Sequence, residues 1–534
     1  MKNFLLTGVA TMVLVACTTD KTPPTEIQAI SREEAVGLPS PQRMSNALAA
    51  SPAMVTPPPE MQDTSRFDNG DDNPVKLVSE EPVSTFSADV DTASYSVMRR
   101  QLNRGQLPAS EAIRTEELIN YFDYDYAQGT KEEPFKPSVW VTPTPWSDKT
   151  ELMHMGVKGY DVQPTEEPDA NIVLLLDVSG SMSADDKLPL LKKAMGVLVD
   201  QLDEDDRVSI VTYAGRTGVV LKPTPGSKKR EIMAALDILG AAGSTAGAAG
   251  LSLAYSLAEE NFDEDKVNRI ILATDGDFNI GISSDESLED LVVRQRDKGI
   301  YLSVLGFGMY NLNDQMMQRI AQNGNGVAAY IDTLDEARKV LGREFKSSVF
   351  PIAEDLKFQI EFNQAQVSEY RLIGYQTRIL DREDFNNDQV DAGDIGSGHT
   401  VTALYEITRA GQTGMIDPLR YDDAAVKPDP SAELAFLKIR YKAPGEDEST
   451  LRTKAIQPSV VLDSLEAAPD DVRFAAAVAA MGEKLSGTGH ADDYPWADLI
   501  DLALGARGND PYGDRVGFVN LARAAAKLSG QEAD

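Results

Sequence analysis

The chain has 534 residues, 51 Lys and Arg against 85 Asp and Glu, and a formal net charge of −34. That charge repels nucleic acid and anionic lipid headgroups, so no nucleic-acid partner is expected. Cys17 is the only cysteine, which excludes an internal disulfide and leaves the fold to its hydrophobic core.

The first seventeen residues read as an export address. Lys2 is their only charge, and residues 4–16 are mostly apolar but shorter than a membrane span. Leu14-Val15-Ala16-Cys17 resembles a bacterial lipoprotein cleavage box. The resemblance implies removal of residues 1–16 and acylation of Cys17, and several acyl chains anchor stably where one does not. Thr18 stands where an Asp would signal inner-membrane retention in Gram-negative cells, so the outer membrane is expected, on either face. Residues 17–74 are rich in Pro, Ser, Thr and Ala, with Pro57-Pro58-Pro59 the stiffest point. They read as a tether, with a short helix open within 27–50.

A block over 75–167 follows. Residues 84–95 precede a helix running through Asn103, and 111–122 reads as a second helix. Residues 139–142 and 152–157 read as short strands.

The apolar run 172–176 ends in Asp177-Val178-Ser179-Gly180-Ser181-Met182. One carboxylate and two hydroxyls on a single turn are hard-oxygen donors suited to Mg²⁺, Mn²⁺ or Ca²⁺. Taken alone, the same residues would also serve as caps for the next helix. Two later stretches add to them. Ala242-Gly243-Ser244-Thr245-Ala246-Gly247 offers further hydroxyls before a helical segment, and the apolar run 269–274 ends in Asp275-Gly276-Asp277. Strands are expected over 172–176, 207–213, 269–274, 300–307 and 327–332. Helices are expected over 188–202, 248–260, 286–298, 313–323 and 334–348. This alternation predicts a mostly parallel sheet covered on both faces, with ligands beyond the carboxyl ends of the strands.

Together the three stretches resemble the von Willebrand factor type A domain and its metal-ion-dependent adhesion site. The resemblance implies a Rossmann-like α/β domain over 168–350. Its implied metal ligands are Asp177, Ser179, Ser181, Thr245 and Asp275. The implied cation is Mg²⁺ first, with Mn²⁺ and Ca²⁺ open, and a position is left for an Asp or Glu of a partner protein. Residues 86–100, 116–126, 302–309, 330–340 and 370–372 extend the likeness to bacterial lipoproteins of the YfbK type, over roughly residues 75–525.

The C-terminal part, 351–534, turns to β and then to helix. Strands over 355–362, 370–377, 399–407 and 434–441 are expected to pair with 139–157. The type A domain would then be inserted in a β-sandwich-like region. Helices over 472–485, 496–505 and 515–529 read as packing elements, and Ala475 to Ala480 favours helix strongly. The loop 383–391 spaces acids and amides like a calcium loop. It has Gln389 where glycine is needed and no following bidentate Glu, so a solvated connection is expected ahead of a second cation. His154, His399 and His490 form no metal spacing and read as structural or exposed.

No P-loop, His-Glu-x-x-His or Gly-x-Ser-x-Gly occurs, and the chain is read as a non-enzyme. Three readings follow, in descending order of support. The first is a lipid-anchored binding module in the cell envelope. The second is an envelope scaffold with a purely structural metal. The third is a metal-assisted hydrolase with Asp277 or His399 as base.

Overall fold

The computed structural model describes residues 65–67, 69–88, 91–162, 168–244, 247–276, 285–308, 313–345, 347, 350–417 and 427–531. The expectations placed on the leader, Cys17 and most of the tether lie outside these residues, as do those on Thr245 and Asp277.

The alternating apolar segments form a six-stranded sheet in the order Ala328–Ile331, Ile300–Phe307, Val267–Thr274, Ala170–Asp177, Arg207–Tyr213, Gly218–Pro225. The first five strands are parallel, and Gly218–Pro225 closes the sheet antiparallel to Arg207–Tyr213. Two hydrophobic cores cover its faces, as a parallel sheet requires. Ala170–Asp177 is buried along its whole length and lies second to no edge, between Val267–Thr274 and Arg207–Tyr213. The edge strand Gly218–Pro225 and the helix Lys229–Asp237 are not among the expected elements. Pro223 and Pro225 argue against a strand except at an edge, where a missing N–H costs no ladder bond.

The flanking segments build two antiparallel sheets. One runs Lys76–Leu77, Val367–Ile373, Thr400–Arg409, Glu151–Lys158, Ser138–Pro143. The other pairs Gly393–Gly396, Pro351–Phe362, Ala435–Lys442 and Ser449–Ile456, with Val83–Ser87 also on Pro351–Phe362. A shared core that includes Phe86, Val141, Met153, Phe358, Tyr370, Tyr405 and Leu437 lies between them. Glu151–Lys158 pairs with Thr400–Arg409 from Lys158↔Thr400 to Glu151↔Ile407. The parallel-sheet domain is thus an insertion in a β-sandwich, entered from Glu151–Lys158 of one sheet and left into Pro351–Phe362 of the other, so its two ends do not meet in one sheet as the strand pattern suggested. The helices Asp470–Ser486, Trp496–Gly505 and Asp514–Leu528 pack with Leu152, Ile373 and Leu404 into a separate helical core. No helix among the described residues is long and apolar enough to cross a membrane.

Two expected helices are shorter than their patterns. Over 111–122 a short turn, Ser110–Ala112, and a helix, Thr115–Asn120, are separated by the extended residues Ile113 and Arg114. The break lets the Arg114 backbone N–H donate to Ser94 Oγ at 3.0 Å, while its guanidinium reaches Asp314 at 2.8 Å and also pairs with Glu117. Over 334–348 the α-helix Leu334–Arg338 gives way to a π-turn, Lys339–Arg343, which buries Lys339 beside Glu344 and over the Tyr121 ring.

Buried ion pairs fasten the helix Ala93–Asn103 and the segment after it to the inserted domain. Arg99 pairs with Asp332 and with Glu336 at 2.8 Å. Asp91 Oδ1 accepts the Ala328 N–H at 2.9 Å, which covers part of an otherwise open sheet edge. Arg114→Ala leaves Asp314 and Glu117 buried without their counter-charge. We expect it to cost about 3–5 kcal/mol in urea unfolding of the full chain, against less than about 1 kcal/mol for a surface pair such as Arg338–Asp335.

Candidate metal centre

Register brings the two acids together. Ala170–Asp177 and Val267–Thr274 are parallel neighbours with Leu176 opposite Ala273, so Asp177 and Asp275 leave the same end of the sheet side by side. Both are buried. The chain then turns sharply: Ser179 N–H donates to Asp177 Oδ1 at 2.8 Å, and the Ser179 and Ser181 hydroxyls lie 2.9 Å apart. Asp177, Ser179 and Ser181 therefore converge on one turn, as their pattern implies.

The glycine-rich loop is tied to this turn by backbone. Ala242 N–H donates to the Val178 carbonyl at 2.8 Å, and Gly180 N–H to the Gly243 carbonyl at 2.9 Å. Gly243 has φ +85°, and a Cβ there would lie 2.9 Å from the Gly215 nitrogen, so only glycine brings the loop this close. Beyond Asp275, Gly276 turns with φ +92° and its N–H donates to Thr274 Oγ1 at 3.2 Å.

The electrostatics are unfavourable without a cation. Burial, helped by the Asp275 charge, pushes the Asp177 carboxyl up to about 6, against opposing hydrogen bonds from Ser179 and Tyr213. Asp177 Oδ2 is buried and has no hydrogen-bond partner of normal geometry among the described residues, although the Tyr213 hydroxyl is a neighbour. A buried carboxylate beside two hydroxyls and a second acid fits a hard divalent ion. Asp177, Ser179, Ser181 and Asp275 would hold it, and bound there it supplies a concentrated positive charge at the mouth of the sheet.

One charged residue at this centre is absent from the implied ligand set. Lys187 Nζ donates to Asp275 Oδ2 at 2.8 Å. Lys187 occupies the N-cap of the helix Leu188–Gln201, where the helix dipole disfavours a cation. That misplaced charge was the one available sign of it in the sequence.

Other candidates lie elsewhere. His399 lines a small cavity with Arg269, near the start of Val267–Thr274. Asp275 follows the far end of that strand, about 20 Å away at strand rise, so His399 cannot serve as a base at the metal centre. His154 is a core histidine on Tyr126, 2.7 Å away, and burial lowers its pKa to about 3. The acids of loop 383–391 turn to different protein partners. Asp388 accepts from Ser449, Asp391 pairs with Arg296, and Arg440 donates to Asn386. Backbone carbonyls of Asn387 and Asp388 accept from Lys357 at 2.7 Å and Lys442 at 2.8 Å. Two of the loop's backbone carbonyls are thus taken by lysine ammoniums. A further acidic trio, Asp169, Asp203 and Asp205, lies at the opposite end of the parallel sheet, where Asp203 caps a turn and Lys266 answers Asp169.

Comparison with known proteins gives the chain's family. The YfbK protein of Escherichia coli strain K12 is 46% identical over 471 residues, covering 86% of this chain and 81% of that protein. The chain belongs to the YfbK family. Three family models tile it: "von Willebrand factor" over 61–154, "von Willebrand factor type A domain" over 171–342, and "Uncharacterized protein YfbK, C-terminal" over 347–528. Similarity to more distant proteins is partial. Protein sll0103 of Synechocystis is 34% identical over 167 residues, 31% of this chain and 39% of that protein. Human inter-alpha-trypsin inhibitor heavy chain H3 is 24% identical over 256 residues, 44% of this chain and 28% of that protein. A solved von Willebrand factor type A protein from Catenulispora acidiphila aligns with TM-score 0.41 and 15% identity, covering 76% of this chain and 92% of its own. In this YfbK-family chain the type A model spans both acids of the centre.

A raised carboxylate pKa opposes folding once the unfolded group ionises. In EDTA, the Asp177 contribution should be absent below pH 4 and should cost about 2–4 kcal/mol above pH 6. Asp177→Asn is therefore expected to match or exceed wild type in metal-free thermal stability above pH 6. It should also lack the Mg²⁺ stabilisation expected of wild type, about 2.7 kcal/mol at a hundredfold excess over Kd. Differential scanning calorimetry with and without Mg²⁺ checks both.

Proposed function

We propose that this protein is a lipid-anchored envelope receptor. In this reading a divalent cation, Mg²⁺ first, is held by Asp177, Ser179, Ser181, Asp275 and Thr245, and it captures an Asp or Glu of a partner protein. The observation that carries the reading is the buried Asp177 carboxylate beside Asp275, with the Ser179 and Ser181 hydroxyls 2.9 Å apart on the turn that follows it. Two acids and neutral hydroxyls leave a hard divalent ion with a coordination position open, which suits an incoming carboxylate oxygen. Membership in a family with a type A domain supports a role in protein–protein interaction. The box Leu14–Cys17 supports acylation at Cys17 and outer-membrane anchoring, and the Pro-, Ser- and Thr-rich composition ahead of residue 65 supports a tether. The expected tether over 17–74 ends earlier, because Arg66 bridges Asn313 and the Asn69 and Asn73 side chains donate to the Ile113 and Leu372 carbonyls of the folded body.

The scaffold reading differs at one point, since a purely structural metal would stabilise the protein without controlling capture. Pull-down from an envelope extract separates the two. A partner retained by wild type in Mg²⁺ should be lost in EDTA and lost with the folded Asp177→Ala/Ser179→Ala variant. Retention that ignores both treatments would leave the scaffold reading. For the anchor, Cys17→Ser should abolish incorporation of labelled palmitate and shift the protein from the membrane fraction to the soluble envelope fraction. An unchanged distribution would remove Cys17 as the anchor.

A further inference from the structure

Lys187 is the unexplained charge at the metal centre. Its partner Asp275 is fully buried and its own side chain is 11% exposed, so the pair is shielded from solvent. Two features show that the lysine is positioned for this contact. Its stem runs across Gly308, where a Cβ would lie 2.3 Å from Lys187 Cε and 2.6 Å from Cγ, so any larger residue would displace it. Arg100 then braces both sides of the stem. Its guanidinium donates to the Gly308 carbonyl and pairs with Asp186, the residue before Lys187. Arg100 belongs to the helix Ala93–Asn103, outside the inserted domain, so the N-terminal region holds a lysine at the metal centre.

We propose that Lys187 is a built-in counter-charge that sets both the affinity of the metal and the charge it presents. The inference rests on the metal reading above. Two carboxylates would neutralise a divalent ion completely. With Lys187 on Asp275, the loaded centre keeps one net positive charge, which weakens metal binding and strengthens the pull on an acidic partner. Specificity for a carboxylate is then written into a residue that ligates nothing.

The test is calorimetric titration of Mg²⁺ into the full chain near neutral pH. Wild type is compared with Lys187→Met and with Lys187→Gln, which removes the charge but can still donate to Asp275. Both variants are expected to bind Mg²⁺ about tenfold or more tightly than wild type. If the Met variant does not fold, the Gln variant decides. Variants that bind no more tightly than a metal-binding wild type would overturn the role of Lys187 and leave the metal reading intact. Wild type and variants that all fail to bind Mg²⁺, Mn²⁺ and Ca²⁺ would instead overturn the metal reading, and this inference with it.

Discussion

The pairing of Glu151–Lys158 with Thr400–Arg409 is the constraint on which the rest of the architecture depends. It joins chain from before and after the inserted domain into one sheet, with that domain lying between the paired strands along the chain. The sheet it completes has two working faces. One packs on the second sheet of the sandwich, and the other supplies Leu152, Ile373 and Leu404 to the C-terminal helical core. Such a non-local pairing carries a loop-closure cost that grows only slowly with loop length, and a self-contained insert shortens the effective loop.

The insertion also explains why the N-terminal helix matters to a site it does not contain. Arg99, Arg100 and Arg114 reach from the flanking region into the parallel-sheet domain, each ending on a buried or half-buried acid. Charges of this kind have little freedom to relax, because leaving one unpaired in the interior costs more than the pair contributes. The geometry around Gly308, Asp186 and Lys187 is therefore set by both regions, and the metal centre is built partly by residues far from it in sequence.

Legibility followed the strength of the local pattern. The strand Ala170–Asp177 and the helix Leu188–Gln201 could be read because apolar periodicity alone specifies them. Gly218–Pro225 and Ser449–Ile456 could not, since edge strands carry prolines, charges and half-exposed positions that mimic loops. Val83–Ser87 was hidden for the opposite reason. Its polar residues are buried because Tyr405 donates to Ser84 and Gln359 to Thr85. The break at Arg114 within 111–122 had no local cause, as it follows from an ion pair two hundred residues away. Loop 383–391 was expected as a connection ahead of a second cation, and its carbonyls at Asn387 and Asp388 accept from Lys357 and Lys442.

The sequence by itself determined the α/β alternation, the acids at the ends of two apolar strands and the hydroxyls that follow the first. These are short-range properties, written in periodicity and in a six-residue turn. Only the tertiary structure decided that the flanking strands zip together around the inserted domain, that the strand register sets Asp177 beside Asp275, and that Lys187 crosses Gly308 to reach one of them. Those outcomes depend on which distant groups become neighbours in a low-dielectric interior, where the energy of a charge is set by its surroundings and not by its place in the chain.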